Sequence, residues 1–388
     1  MMQELKADMR QVLEENILKY WMERMVDEEH GGFYGRRDGN DRFVPDAPKG
    51  AVLNARILWA FSASYRVLKK DEYMQMALRA KAYILKHFID CEYGGVYWML
   101  DCEGNPIDLK KQTYAIGFMI YGFSELYRAT GDEESLKEAI QLFNDIEHHA
   151  YDAQNNGYIE ALTREWQPIV DMRLSDKDEN GSRMMNTHLH ILEPYTNLYR
   201  VWKDKRLEQQ LHNLIHIFVT KILNPQTCHL DLFFDDHWQG KRDIESYGHD
   251  IEAAWLLTEA LEVLGDEQLT SEIMPVVRRI TQASEKGLMP DGSMIHEDRD
   301  PDRHWWVQCE CIIGEINQWQ HFRDNEALAR ALKCWSYTKQ HLIDWEHSEW
   351  YWSIREDGSV NVDDDKAGPW KCPYHNSRMC LEVIERIG

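Results

Sequence analysis

Apolar positions recur at three- and four-residue intervals through most of the chain, in runs such as AVLNARILWAFSASY from Ala51 and YAIGFMIYGFSELY from Tyr114. Each such run is followed by a more amphipathic one, such as DEYMQMALRAKAYILKHF from Asp71. The period is that of an α-helix, and the pairing of a nearly all-apolar run with a one-faced run predicts helical hairpins. An acidic turn residue marks each hairpin: Asp71, Asp132, Asp204, Asp266 and Asp324, spaced 61, 72, 62 and 58 residues apart. Between hairpins lie short aromatic, turn-rich stretches with alternating polarity, among them HGGFYGRRDGN, YGGVYWMLDCEGN and EWYWSIREDGS. These predict small β-hairpins or extended loops.

A one-faced helix over about Asp8–Met22 and a last helix from about Pro373 bring the set to twelve helices in six pairs. Six hairpins, each with one apolar side to bury, either end in polar caps or curl into a ring, and neither end of this array has an obvious cap. The expected architecture is therefore an all-α (α/α)6 barrel, or toroid, with the apolar helices inside and the short hairpins or loops at one end. An open solenoid is the competing arrangement. Residues 1–388 are expected to form a single catalytic domain of this kind.

The repeat also aligns polar residues. At the starts of successive inner helices, 14 to 18 residues before the acidic turns, lie Arg56, Tyr114, Asn186 with His190, His249 with Glu252, and Trp306 with Glu310. Asn186 and His190 are i,i+4 and His249 and Glu252 are i,i+3, so each pair shares a helix face. Any one of these residues reads equally well as a satisfied core polar group, but five repeats placing polar groups at one height point to a common rim. Three histidine-bearing stretches open similar helices: MNTHLHILE from Met185, YGHDIEAAW from Tyr247 and PWKCPYHNSRMC from Pro369. Histidine titrates near neutrality, so His190, His249 and His375 gathered at one rim suit proton transfer. His188, two residues from His190, must point elsewhere and is expected to support its helix. Trp370 is either a sugar platform or loop packing. Asp178, in the polar run SDKDENGS, reads from the residues alone as a solvated loop charge. The remaining histidines, among them His229, His296 and His304, show no convergence and read mostly as surface or hairpin residues.

Composition narrows the partners. With 44 basic against 67 acidic residues the formal net charge is -23, which disfavours nucleic acid or an anionic membrane as partner. No run of about 18 apolar residues exists to span a bilayer. Eight cysteines form no CxxC pair and follow no apolar leader, so a reduced, cytoplasmic setting is expected. No HExxH or comparable spacing occurs, and no metal or cofactor is expected. Fifteen tryptophans and eighteen tyrosines supply flat faces of the kind that pack against the C–H surfaces of sugars, although most will fill the core.

The segments GAVLNARILWAF, EYGGVYWMLD, MNTHLHILE, YGHDIEAAWLL, DRHWWVQCE and GPWKCPYHNSRMC, in this order and nearly end to end, resemble those of the N-acylglucosamine 2-epimerase superfamily and, within it, the cellobiose 2-epimerases. The resemblance implies an (α/α)6 barrel and reversible epimerisation at C2 of the reducing-end glucose of β-1,4-linked disaccharides such as cellobiose or lactose, with no cofactor. Carried over by motif, it implies that His249 and His375 are the acid/base pair and that His190 opens the sugar ring. It further implies that Arg56, Tyr114, Asp178, Asn186, Glu252, Trp306 and Trp370 contact sugar, with Glu310 a further member. A monomer or weak homodimer is expected.

The residue types fit that chemistry. A C2 proton becomes acidic only in the open aldose, where it is α to a carbonyl, and its loss leaves a cis-enediolate that donors such as Arg56 and Tyr114 stabilise. Inversion needs a second proton carrier on the opposite face, and two histidines permit either direction. Glu252, one turn from His249, is expected to orient that ring. Three other classes stay open at this stage. A glycoside hydrolase would use two carboxylates, Glu252 with Glu310 or Asp250. An aldose–ketose isomerase would return the proton to C1, and a helical-repeat scaffold would perform no chemistry.

Overall fold

The computed structural model describes residues 2–175, 178–241 and 243–387. Among the described residues twelve helices form two concentric layers. The inner layer consists of α2 (Ala51–Leu68), α4 (Thr113–Thr130), α6 (Met185–Val201), α8 (Tyr247–Leu264), α10 (Trp305–Phe322) and α12 (His375–Arg386). Each packs on the next, and α12 packs back on α2, so the ring closes as an (α/α)6 barrel. The outer layer is α1 (2–24), α3 (71–88), α5 (133–150), α7 (205–222), α9 (Glu267–Ser284) and α11 (Asn325–His341). Each outer helix from α3 onward covers the inner helix that precedes it, whereas α1, at the start of the chain, packs against α12 at its end.

Two departures from the sequence pattern have local causes. The first helix runs from Met2 to Arg24 instead of Asp8 to Met22, through a wider π-helical stretch over Val12–Leu18 that keeps Val12, Leu13, Ile17 and Leu18 buried. Similar π-helical turns end α3, α5 and α7, over Ile84–Phe88, Ile146–Ala150 and Phe218–Ile222. The acidic turn residues are side-chain N-caps at four of the five positions: the carboxylates of Asp132, Asp204, Asp266 and Asp324 accept backbone N–H groups of the first helical turn. At the first turn the cap position is Lys70, and Asp71 is already helical, favourable there as an acidic group at the positive end of the helix dipole.

At one end of the barrel, extended segments leading into the inner helices pair antiparallel with the stretch that follows the next outer helix. Lys49–Gly50 pairs with Met99–Leu100, Lys111–Gln112 with Ala161–Leu162, Arg183–Met184 with Phe233–Phe234, and Arg303–His304 with Ser353–Ile354. Single bridges complete the series, Ser246 with Glu297 and Ala367 with Arg37. Buried ion pairs recur at equivalent steps, including Lys49–Asp27, Lys111–Asp90, Arg183–Asp152 and Lys366–Asp344. The opposite end carries a ring of polar contacts between neighbouring inner helices: Arg66–Glu125, Arg128–Asn197, Arg200–Glu259, Thr258–Asn317, Asn317–Arg386 and Glu385–Arg66. Most of these residues line a polar cavity of about 450 Å³ at that end. No helix among the described residues is long and apolar enough to cross a membrane.

Candidate active site

A cavity of about 650 Å³ opens at the hairpin end, where the inner helices begin. Its lining includes Arg56, Tyr114, Asp178, Asn186, His190, His249, Glu252, Trp306, Trp370 and His375. The common height expected from the repeat is thus matched by a common space. Glu310 is the one expected residue that does not face the cavity; it lies behind His375, whose Nδ1 is 2.7 Å from Glu310 Oε1. Asp178 is no freely solvated loop charge, because its carboxylate accepts from the Ser175 N–H and hydroxyl, and burial raises its pKa.

His249 (α8) and His375 (α12) both pack on the Trp306 indole of the intervening α10, with ring centroids 4.7 and 5.7 Å away. Their supports differ. His375 has the Glu310 carboxylate, while the His249 Nδ1 meets the Ser246 hydroxyl at 2.8 Å. Glu252 therefore does not orient His249, contrary to the i,i+3 expectation: its carboxylate is bonded to Arg378 and approaches His375 Nδ1 at 4.0 Å. Spacing places two residues on one helix face but does not choose between partners across the barrel. Burial, with the His296 and His190 charges, brings the His249 pKa down to about 3. Burial also holds His375 well below its ordinary value, helped by Arg56 and Arg378.

His190 sits at an irregular point of α6, with φ -89° and ψ 17°. Pro194, four residues on, has no N–H to bond the His190 carbonyl, which is why the helix kinks there. Gly117 on α4 makes room for that carbonyl; a Cβ on Gly117 would collide with it. The ring's Nδ1 lies 3.0 Å from Glu193 Oε2.

Arg378 joins these supports. Its guanidinium, buried, bonds the carboxylates of Glu193, Glu252 and Glu310. The chain His190–Glu193–Arg378–Glu310–His375 thus links two of the five histidines that line the cavity through one cation. Burial pushes the Glu193 carboxyl up, but Arg378 and His190 outweigh it and leave the pKa at about 2. Burial and the neighbouring Glu310 instead push Glu252 up to about 7, against the pull of Arg378. The donors of Glu252, Glu310 and His375 lie within 4.8 Å of one another. Such a set would suit a metal, but the guanidinium already bonds both carboxylates.

Arg56 donates to the Tyr114 hydroxyl at 2.9 Å and lies over the faces of Phe118 and Tyr374. Arg56 Nε and Asn186 Oδ1 are buried without a hydrogen-bond partner among the described residues. Buried polar groups seldom go unpaired, so both are suited to meet a ligand. His188 is structural, taking the Tyr158 N–H at Nε2 and meeting the Met184 carbonyl at Nδ1.

Sequence reasoning missed Arg378, Ser246, His296 and His304. Arg378 was within reach, since it stands i,i+3 from His375 on the same helix. His296 and His304 are not surface residues: they line the cavity, stacked 4.1 Å apart, and both bond Asp300. His229 is likewise buried, paired with Asp250 at 2.6 Å. These three stand in or after loops, where no periodicity betrays a side chain's direction.

A family model for N-acylglucosamine 2-epimerase (GlcNAc 2-epimerase) matches residues 31–378. The cellobiose 2-epimerase of Bacteroides fragilis is 59% identical over 386 residues, covering 98% of both chains. That of Ruminococcus albus is 40% identical over 385 residues, again covering 98% of both. The solved structure of cellobiose 2-epimerase from Bacillus thermoamylovorans B4167 superposes with a TM-score of 0.95 at 42% identity, covering 99% of this chain and 100% of that one. With the barrel, the rim and end-to-end likeness in agreement, the chain belongs to the N-acylglucosamine 2-epimerase family.

Proposed function

We propose that the protein epimerises C2 of the reducing-end glucose of β-1,4-linked disaccharides, converting cellobiose reversibly to glucosyl-mannose and accepting lactose. The observation that carries this reading is the placement of His249 and His375 on one indole from helices either side of it, so that two proton carriers reach one pocket from different directions. Relatives of 59% and 40% identity that bear the name cellobiose 2-epimerase support the substrate class.

In this mechanism His190, held by Glu193, exchanges protons with O5 and O1 to open the ring. One of His249 and His375, in the neutral form that burial favours, removes the C2 proton and becomes an imidazolium. The cis-enediolate oxygens face Arg56 and Tyr114, which stabilise their charge in a site shielded from bulk water. The other histidine enters the step protonated on its cavity-facing nitrogen, gives that proton to the opposite face of C2 and becomes neutral, and proton exchange with solvent resets the pair. Trp306 and Trp370 offer the flat surfaces against which the pyranose rings rest.

An NMR time course with cellobiose in D2O tests this. Deuterium at C2 together with a glucosyl-mannose product supports it. Ketose signals would indicate an isomerase and free glucose a hydrolase, and an unchanged spectrum would leave only a binding scaffold. Each of those three outcomes refutes the proposal.

A further inference from the structure

The ionisable lining of the cavity is divided by depth. Its floor carries Arg56, buried, with Nε unpartnered. Its outer part, formed by half-buried or exposed loop residues, carries Asp178, Glu297, Asp300, Asp363, Asp364 and Asp365, whereas His190 and His375 below are buried. Among the described residues the only cation lining this outer part is Arg36, bonded to Asp365 at 2.7 Å. Asp363 is bonded to Arg355, outside the lining. The imidazoles of His296 and His304 are shared with Asp300. Among the described residues carboxylates therefore exceed cations at the mouth, on a chain whose formal net charge is -23.

Carboxylates are acceptors only, so a ring of them recognises hydroxyl donors well and cannot pair with another anion. The reacting sugar must reach Arg56, which leaves the distal sugar among these groups. We infer that the cavity mouth is an electrostatic filter that admits neutral and cationic disaccharides and rejects those whose distal residue is anionic, such as a uronic acid or a sugar phosphate. This inference rests on the proposed function for the direction in which the substrate lies. The enzyme would accordingly act on sugars before any phosphorylation or oxidation of the distal residue.

The test compares kcat/KM for cellobiose with that for β-glucuronosyl-1,4-glucose, identical except for a carboxylate at the distal C6. At about 0.02 M ionic strength the anionic sugar is expected to be at least about tenfold poorer, and at about 0.5 M, where exposed charges are screened beyond a few ångströms, the ratio should shrink at least about threefold. The double variant Asp363→Asn/Asp364→Asn should narrow the low-salt ratio similarly. Equal use of both sugars overturns the inference. Discrimination that ignores both salt and the double variant also overturns it, because it would then be steric. Absence of turnover with cellobiose itself would instead strike the proposed function. In that case, tryptophan fluorescence titrations with the two sugars, Trp306 and Trp370 being in the cavity, read the same ratio from binding alone.

Discussion

Glu310 reaches His375 from behind, its Oε1 2.7 Å from the ring Nδ1 and equally far from Arg378. In the proposed mechanism this carboxylate would hold the tautomer whose Nε2 is free to face the cavity and steady the imidazolium during proton transfer. Glu310→Gln keeps the shape and removes the charge. Its kcat for cellobiose epimerisation is expected to fall by about 10²-fold or more, as for other acid/base groups, with KM changed only a few-fold. Steady-state kinetics by NMR checks this; an unaltered kcat would show that the contact is merely structural.

Arg378 bonds three buried carboxylates, so its loss should be felt first in stability. Removing one partner of a buried ionic network typically costs about 3–5 kcal/mol because the remaining charges stay unpaired. Arg378→Met is therefore expected to melt well below the parent in thermal unfolding followed by circular dichroism. Arg378→Lys, which keeps the charge but not the fork, should fold yet turn over more slowly.

Gly117 would ordinarily gain stability on replacement by alanine, by roughly 0.5–1 kcal/mol for a mid-helix glycine. Here the sign reverses. The new Cβ meets the displaced His190 carbonyl, and relieving such a clash in a packed core costs about 1–3 kcal/mol. Gly117→Ala should lower both the melting temperature and the ring-opening rate. A more stable variant would mean that the α4–α6 contact yields easily.

His188 supplies the clearest pH signature. It receives the Tyr158 N–H at Nε2, so protonating that nitrogen sets two donors against each other, and burial brings its pKa down to about 4. Between about pH 6.5, where a histidine in the unfolded chain titrates, and pH 4 the unfolded state binds the extra proton and the folded state does not. Stability must therefore rise with pH across this window and fall on acidification, by up to about 1.4 kcal/mol per pH unit for this one group. Urea titrations of the parent and of His188→Gln, at pH 7 and pH 5, should show the variant less stable at pH 7 but losing less on going to pH 5.

Much of this was legible because it repeats. Period, turn residues and polar rim each recur, and the recurrence placed Arg56, Tyr114, His190, His249 and Trp306 at one height before any coordinate was known. What did not repeat was hidden. Glu252 shares a face with His249, yet its partner Arg378 lies 126 positions away, and no local pattern encodes that pairing. His296 stands in an irregular loop and His304 in the two-residue strand that leads into α10, and tertiary packing sets the course of both. The kink at His190 was implicit in Pro194, but its accommodation by Gly117 depends on two helices meeting.

The pairing of α1 with α12, together with the Arg37–Ala367 bridge, has a consequence for how the molecule is made. The sixth pair is built from α1 (2–24) and α12 (His375–Arg386), so the ring closes through a contact between segments far apart in sequence, whereas the other five pairs are local hairpins. Joining the ends with a short linker and cutting instead at an exposed inter-helix turn, such as Gly131, where an added side chain would meet nothing, should yield a circular permutant in which that last seam becomes local and closes earlier.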